Sequence, residues 1–414
     1  MGELRKTDAA IADIAMRELK RQQETLGLIA SENYASLAVL EAQASVLQNK
    51  YSEGYSGKRY YAGNQFIDDS ETLAIERAKK LFDAEHANVQ PHAGSQANMA
   101  VFYGLMEYGD KFLGLSLDQG GHLTHGSPVN FSGKLYKPIA YHLDKKTHLI
   151  DYDEAERLAK QEKPKLILCG YTAYPRKIDF KRFREIADST GAYLMADIAH
   201  IAGLIAGKVH DNAFPYADVV TTTTHKTLRG PRGAMIMCKA DLAQKIDKAV
   251  FPGLQGGPFD HAIAAKAVCF QEALQPSFKE YAKQIVKNAG ALAGELKGKG
   301  FALSSGGTDN HLLLADVTNK VESGKVAQEK LEKAGIICNR NMIPYDAKSP
   351  FVTSGIRLGT PCLTTRGMKE NEMKQVAELI GRGLAAKDDA ELAKLGEEVR
   401  SLALKFPIYK DVKY

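Results

Sequence analysis

The chain has 414 residues, 55 Lys and Arg against 50 Asp and Glu for a formal charge of +5 at pH 7, and 44% hydrophobic with 25% charged residues. That length exceeds what one hydrophobic core organises, so two domains are expected, and the composition excludes a disordered chain. The basic excess is scattered without a concentrated stripe, which argues against nucleic acid and mildly for small anionic ligands; the longest apolar stretch, residues 192–207, carries Asp197 and His200 in its middle and is too short to span a bilayer.

Residues 2–26 are charged throughout and lack the apolar centre of a secretory leader. Within them Asp8 is expected to cap an amphipathic helix running to Glu24, with Ile11, Ile14, Ala15 and Leu19 on one stripe. So early a helix has little core behind it, and packing on a partner subunit is expected. Residues Leu28 to Tyr61, rich in Tyr, Ser, Gly and Asn and without regular period, read equally well as a surface loop or a binding loop. Ser70 is expected to cap a helix carrying Leu73, Ala74, Ala78 and Leu81. A short strand over Ala87–Gln90 then leads to a helix opened by Gly94-Ser95 and running to Met106. Small residues at a helix N-terminus leave backbone N–H groups free for an anion, which the helix dipole favours, so a phosphate belongs there.

From Leu113 onward, β-like runs at Leu166–Gly170, Tyr193–Ala196, Val219–Thr224 and Ala234–Cys238 alternate with helical patterns such as Phe180–Thr190. That alternation predicts an α/β fold with a doubly wound, mostly parallel sheet. A Gly- and Pro-rich segment, Phe251–Pro258, precedes a helix around Asp260–Leu274, and Gln275-Pro276-Ser277 breaks the pattern. The expected organisation is an N-terminal arm and substrate loop over 1–65, a large domain over 66–276 and a smaller C-terminal α+β domain over 277–414. The last contains a helix Phe278–Leu296, strands near Phe301–Leu303 and His311–Asp316, and a helix Lys325–Ala334. Two closing helices follow, striped by Met373, Val376, Ile380, Leu384 and by Leu392, Leu395, Val399, Leu402. The five cysteines are odd in number and lack CxxC spacing, so they read as buried reduced thiols of a cytosolic protein, with no metal site expected.

Two of the strand-like runs end on ionisable groups, Asp197 in one and His225-Lys226 in the other. Ligands of parallel sheets collect beyond the carboxyl ends of strands, so Asp197, His200 and Lys226 are placed to meet. A lysine issuing from a run of threonines, with a tight Arg229-Gly230-Pro231-Arg232-Gly233 turn behind it, suits an amine that must sometimes be neutral. Burial and cationic neighbours such as Arg229 and Arg232 favour the form that makes Schiff bases. An aspartate one strand away can keep the ring nitrogen of pyridoxal phosphate protonated. Arg357, inside the apolar run Gly355–Gly359, can grip a substrate carboxylate in bidentate fashion.

These residues sit in recognisable segments. TTTTHKTLRGPRG (Thr221–Gly233) resembles the cofactor-lysine segment of the serine hydroxymethyltransferase family, pyridoxal-phosphate enzymes of the aspartate-aminotransferase-like fold, fold type I. Similar in the same order are LIASENY, NKYSEGYSGKRYY, QPHAGSQAN, GGHLTHGSPVNFSGKLY, FPGLQGGP and SPFVTSGIRLGTP. The resemblance implies reversible conversion of L-serine and tetrahydrofolate to glycine and 5,10-methylenetetrahydrofolate through an external aldimine. It implies that Lys226 carries the cofactor, Asp197 meets its ring nitrogen, His122 stacks on its face and Thr172 touches its phenolic oxygen. Gly94 and Ser95 surround its phosphate. Arg357 binds the substrate carboxylate with Ser31 and His200, and Glu53 is the acid/base group at the substrate side chain. Tyr51, Tyr61 and Gly257 come from a second copy of the chain, so the expected assembly is at least a homodimer with shared sites. His225 is expected to tune reaction specificity. Folate is expected at Leu117, Gly121, His122 and Leu123, stacked by Tyr60, with polar contacts near Asn341, Ser349, Pro350 and Phe351. The chain departs from the common pattern at Ala62, Ala93 and Asp118-Gln119, and Asp118 adjoins Leu117, so folate affinity is the property these departures bear on.

Overall fold

Five-residue apolar and β-branched runs bounded by turns become strands through most of residues 33–283, one of two units into which the protein divides. The structure, a computed structural model, describes residues 2–413. In this first unit the strands are β1 (His86–Asn88), β2 (Lys111–Leu115), β3 (Lys137–Tyr141), β4 (Leu166–Gly170), β5 (Tyr193–Asp197), β6 (Val219–Thr223) and β7 (Ala234–Cys238). They form one seven-stranded sheet in the order β1-β7-β6-β5-β4-β2-β3. Pairing is parallel from β3 through β6, and β7 runs antiparallel to both β6 and β1. The α/β reading with a mostly parallel central sheet therefore holds.

Every residue of β4, β6 and β7 is buried, the apolar runs of β4 and β7 and the β-branched run of β6 alike. One side of the core joins Val101 and Phe102 to Phe112, Leu168, Met195 and Ile236. There the Phe102 and Phe112 rings meet edge to face with centroids 4.7 Å apart. The register sets Gly170 beside Asp197, and Asp197 beside Thr221. Gly170 adopts φ +151°, and a Cβ on it would lie 2.4 Å from the Asp197 carbonyl oxygen. Only glycine lets the end of β4 close on the end of β5.

Two local expectations are corrected. The helix α1 spans Gln65–Phe82 with Asn64 at its N-cap position, so Ser70 lies inside it and is no cap. The reason is that Ile67 is buried one turn earlier and extends the apolar stripe through Ala74, Ala78 and Leu81, while Leu73 is 48% exposed. In the N-terminal helix Ala9–Glu24, Asp8 does cap, accepting the Ile11 N–H at 3.0 Å, but the buried residues are Ala12 and Leu19. Ile11 and Ile14 are half-exposed in the single chain, because the core-facing stripe is rotated by one residue from the expected one. The aromatic-rich segment after Leu28 contains a helix, Leu37–Gln43, and a hairpin of Gly54–Tyr55 with Lys58–Arg59.

The second unit comprises the described residues up to Glu32 and those from Gln284 onward. Its four-stranded antiparallel sheet has the order β8-β9-β11-β10, with β8 Ala302–Leu303, β9 Leu312–Asp316, β10 Asn339–Asn341 and β11 Gly355–Gly359. The helices Glu370–Ala385 and Asp389–Leu404 bury all eight stripe residues expected of them. Those stripes join Leu26, Leu28, Leu331 and Ile356 in one apolar cluster. Among the described residues all five cysteines are free and buried, and no helix is long and apolar enough to cross a membrane.

Candidate active site

Beyond the carboxyl ends of β4, β5 and β6 the first unit gathers its ionisable side chains. Asp197 ends β5 and is 8% exposed. Its Oδ2 accepts the Asn98 Nδ2–H at 2.8 Å and lies 3.2 Å from His125 Nε2, while Oδ1 accepts the Ala199 N–H at 3.1 Å. Burial pushes this carboxyl up, but the hydrogen bond and charge of His125, with His122 and Asn98, outweigh burial and hold it well below the usual carboxylate range. Asp197 is thus an ionised group at neutral pH, available to partner a cationic ring nitrogen.

Asn98 belongs to α2 (Gly94–Leu105), and it also donates to Thr124 Oγ1 at 2.8 Å and accepts from Thr221 Oγ1 at 2.6 Å. No side chain caps the N-terminus of this helix; Ala93 stands at the N-cap. The same helix therefore orients the aspartate from its side and presents unclaimed N–H groups at its start, with Ser95 exposed. A Cβ on Gly94 would come within 2.8 Å of Thr223 Cγ2, so only a backbone without side chain fits between the helix end and β6.

Lys226 follows β6 by three residues, and its Nζ donates to Thr223 Oγ1 at 2.8 Å. The loop is held by Asn33 Nδ2 on the Lys226 carbonyl at 2.9 Å and by the Thr227 hydroxyl on the His200 carbonyl at 3.0 Å. His225 takes a hydrogen bond from Arg232 Nη1 at 2.9 Å, and burial with the charges of Lys226 and Arg232 brings its pKa down to about 3. Arg229 turns elsewhere, with its guanidinium 4.7 Å over the Tyr281 ring and 3.9 Å from Glu272. Of the two arginines expected to flank the lysine, Arg232 faces its neighbour His225 and Arg229 does not approach in this way.

His122 is the N-cap of a short turn, Leu123–His125, its Nδ1 accepting the Thr124 N–H at 3.2 Å. Burial and the nearby His125 lower its pKa to about 4, so the ring is neutral. Leu117 and Leu123 are each nearly half-exposed, while Gly121 is buried. Asp118 accepts from the Ser116 hydroxyl, and the buried Gln119 accepts the Leu143 N–H at 2.7 Å, so both departures from the family pattern close local structure. Thr172, after β4, donates its N–H to the Gly120 carbonyl at 2.7 Å.

A third group forms around residues 251–258. The Tyr51 hydroxyl donates to Glu53 Oε1 at 3.2 Å, and a Cβ on Gly257 would touch the Tyr51 ring at 3.4 Å. Tyr61 meets Tyr51 edge-on at 4.9 Å, and Tyr60 meets Phe251 at 5.6 Å. Arg59 clamps both peptides around Glu53, with Nη1 at 2.9 Å from the Ser52 and Gly54 carbonyls.

In the second unit Arg357 is 6% exposed at the centre of β11, with its Nε donating to Asn339 Oδ1 at 3.2 Å. Burial lowers its pKa to about 10, which leaves it cationic. Ser31 and Asn341 are partly buried; Ser349, Pro350 and Phe351 lie on an exposed loop, Phe351 at 78%.

His125, Asn98 and Thr223 were not singled out from the sequence, although each contacts a residue that was. A second histidine in GGHLTHG and an asparagine inside the small-residue helix start GSQANMA were the available signals.

The donor set of the first unit fits pyridoxal phosphate. It offers a primary amine, an ionised carboxylate on the next strand, a neutral imidazole, and a helix N-terminus whose small residues leave room for a phosphate. An α/β sheet with such groups at its carboxyl end defines a class, enzymes that anchor an aldehyde cofactor on lysine. The sequence profile described as serine hydroxymethyltransferase matches residues 4–380 of the 414, and the chain belongs to that family. It is therefore a pyridoxal-phosphate-dependent one-carbon transferase acting in serine and glycine hydroxymethyl transfer.

Proposed function

We propose that this chain interconverts L-serine and glycine with tetrahydrofolate as the one-carbon acceptor, as a cytoplasmic homo-oligomer of at least two subunits. The observation that supports it best is the meeting of Lys226 with Thr223, Asp197 with His125 and Asn98, and the uncapped start of α2 at one end of one sheet.

Pyridoxal phosphate, when bound, supplies an aldehyde that captures amines and a ring that withdraws electrons from the amino-acid Cα. Lys226 would hold the aldehyde, and Asp197, kept ionised by His125, would hold a proton on the ring nitrogen. The Gly94–Ser95 helix end and Thr172 would hold the phosphate and the phenolic oxygen. His122, neutral, would face the ring without adding charge to it. His200 and His225 flank the lysine loop, and His225, hydrogen-bonded to Arg232, tunes reaction specificity.

Arg357 and Ser31 bind the substrate carboxylate, and the guanidinium fork limits the orientations open to the Cα substituents. Glu53 holds or releases a proton at the substrate hydroxyl oxygen. Tyr51, Tyr61 and Gly257 act on the site of a second copy. Folate is received at Leu117, Gly121, His122 and Leu123, at Tyr60, and at Asn341 and Ser349–Phe351.

Because the chain has no tryptophan, an absorption band well to the red of 300 nm reports a bound chromophore. Borohydride reduction of the holoenzyme, followed by peptide mapping, is expected to place a stable adduct on Lys226; an adduct elsewhere, or none, removes this reading. Serine cleavage is expected to accelerate on adding tetrahydrofolate. An unchanged rate would assign the chain to folate-independent aldol cleavage of 3-hydroxy amino acids instead.

A further inference from the structure

The antiparallel ladder between β1 and β7 stops at the pair Asn88–Ile236. Past that point the regular ladder gives way to an irregular contact, the Ala234 N–H donating to the Pro91 carbonyl at 3.2 Å. One backbone continues through Val89–His92 into the start of α2, and the other arrives from the loop that begins at Lys226. Backbones that leave a ladder inside the protein strand their carbonyl oxygens, and each needs a donor from elsewhere.

One side chain supplies three of the carbonyls here, while Gln255 Nε2 donates to that of Gln90 at 3.0 Å. Lys266, in α3 (Asp260–Ala273), is 2% exposed, and its Nζ donates to the carbonyls of Val89 at 2.6 Å, Pro91 at 3.1 Å and Ala234 at 2.8 Å. An ammonium has three protons and no acceptor, so the fork uses its full capacity. Burial pushes the pKa of Lys266 down to about 7, with the Glu71 carboxylate opposing that shift. Gly233 makes room for it, since a Cβ there would lie 2.6 Å from Lys266 Cε.

Placing a charge in an interior costs several kcal/mol, and a longer ladder beside an apolar side chain would join the same strands without it. The charge stands where the backbone must leave the ladder to shape two loops. Between the clamped carbonyls, Gln90 reaches the other way, donating to the Gly54 carbonyl at 2.9 Å and to Glu71 Oε1 at 2.8 Å. The fork is thereby continuous with the peptide that follows Glu53.

We propose that Lys266 is a positioning residue of the cofactor site, its ammonium fixing the loop that ends at Gly94 against the loop that begins at Lys226. This rests on the cofactor reading given above.

The test uses the full-length apoprotein of Lys266→Met and Lys266→Gln beside wild type. Pyridoxal-phosphate affinity is read by absorbance titration, fold by far-ultraviolet circular dichroism, and loop order by amide hydrogen exchange over Val89–Gly94 without cofactor. Methionine is expected to leave the dichroism native, to speed exchange in that segment, and to weaken cofactor binding by about tenfold or more, roughly the loss of one or two hydrogen bonds to a charged group. Glutamine, which keeps two donors, is expected to fall between. Equal affinity and unchanged exchange in Lys266→Met overturn the proposal. So does failure of both variants to fold, which would make the ammonium a general support of the unit. Wild-type protein that takes up no cofactor would instead sink the functional reading.

Discussion

Each unit of this protein buries a cation against backbone carbonyls, Arg366 in one and Lys266 in the other, and the two sites serve different ends. In the unit containing the C-terminal helices, Arg366 is 7% exposed and donates to the carbonyls of Gln22, Gln23, Thr25, Ala403 and Phe406 at 2.6–3.1 Å. Those oxygens belong to the last turns of the helices Ala9–Glu24 and Asp389–Leu404 or follow them directly. Helix ends always leave such carbonyls without partners, and their negative dipole end favours a cation. In the sheet-bearing unit the acceptors of Lys266 lie where two strands leave their regular ladder on the way to the site. Arg366 satisfies a need common to all helices; Lys266 satisfies one created by function.

The sharpest way to break this contrast is Arg366→Met. Five carbonyls would lose a donor inside the protein, and unfolding in urea should show a loss of about 3–5 kcal/mol. A loss below about 1 kcal/mol would mean the helix ends find other partners and the comparison fails.

Next in size is the cost of the sheet unit's charge-averse histidines. The pKa of His122 is lowered to about 4 and that of His225 to about 3, in each case first by burial, whereas an unfolded chain titrates near ~6.5. As pH falls through the unfolded value, the unfolded chain takes up protons that the folded one refuses until it reaches its own lower pKa. Stability is therefore lost from pH ~6.5 down to about 4 for His122 and about 3 for His225, by an amount on the order of a few kcal/mol. Asp197, depressed in the folded state, contributes in the other direction, and its share is lost only below the ordinary carboxylate range. Denaturation of the apoprotein across this pH series checks the slope, and His122→Asn should flatten it. A slope unaltered in the variant would show that the ring is not held neutral by its surroundings.

Asn98→Ala should cost about 1–3 kcal/mol, since it leaves Asp197, Thr124 and Thr221 each short of a partner. It should also shift the visible band of the bound cofactor, because the carboxylate proposed to meet the ring nitrogen is freed to turn. A band at the wild-type wavelength would show that His125 alone orients Asp197. The smallest effect expected is for Ser70→Ala, within about 0.5 kcal/mol in a thermal melt, because Ser70 lies within α1. A loss near ~1 kcal/mol, as for a true N-cap, would contradict the assignment of the helix start.

The sequence alone determined much of this protein. Strand runs such as Leu166–Gly170 and Ala234–Cys238, and the stripes of the last two helices, coincide with the observed elements because burial on one or both faces writes itself as a local apolar pattern. Family segments brought Lys226, Asp197 and His122 forward by their residue types. Tertiary structure alone decided what surrounds them. His125 and Asn98 reach Asp197 across separations of 72 and 99 residues, and Lys266 reaches Val89 across 177. The start of α1 at Gln65 and the exposure of Ile11 and Ile14 were likewise illegible, since a helix's buried face depends on what packs against it. Local periodicity records which side of an element is dry; which polar groups meet is settled only when the chain closes on itself.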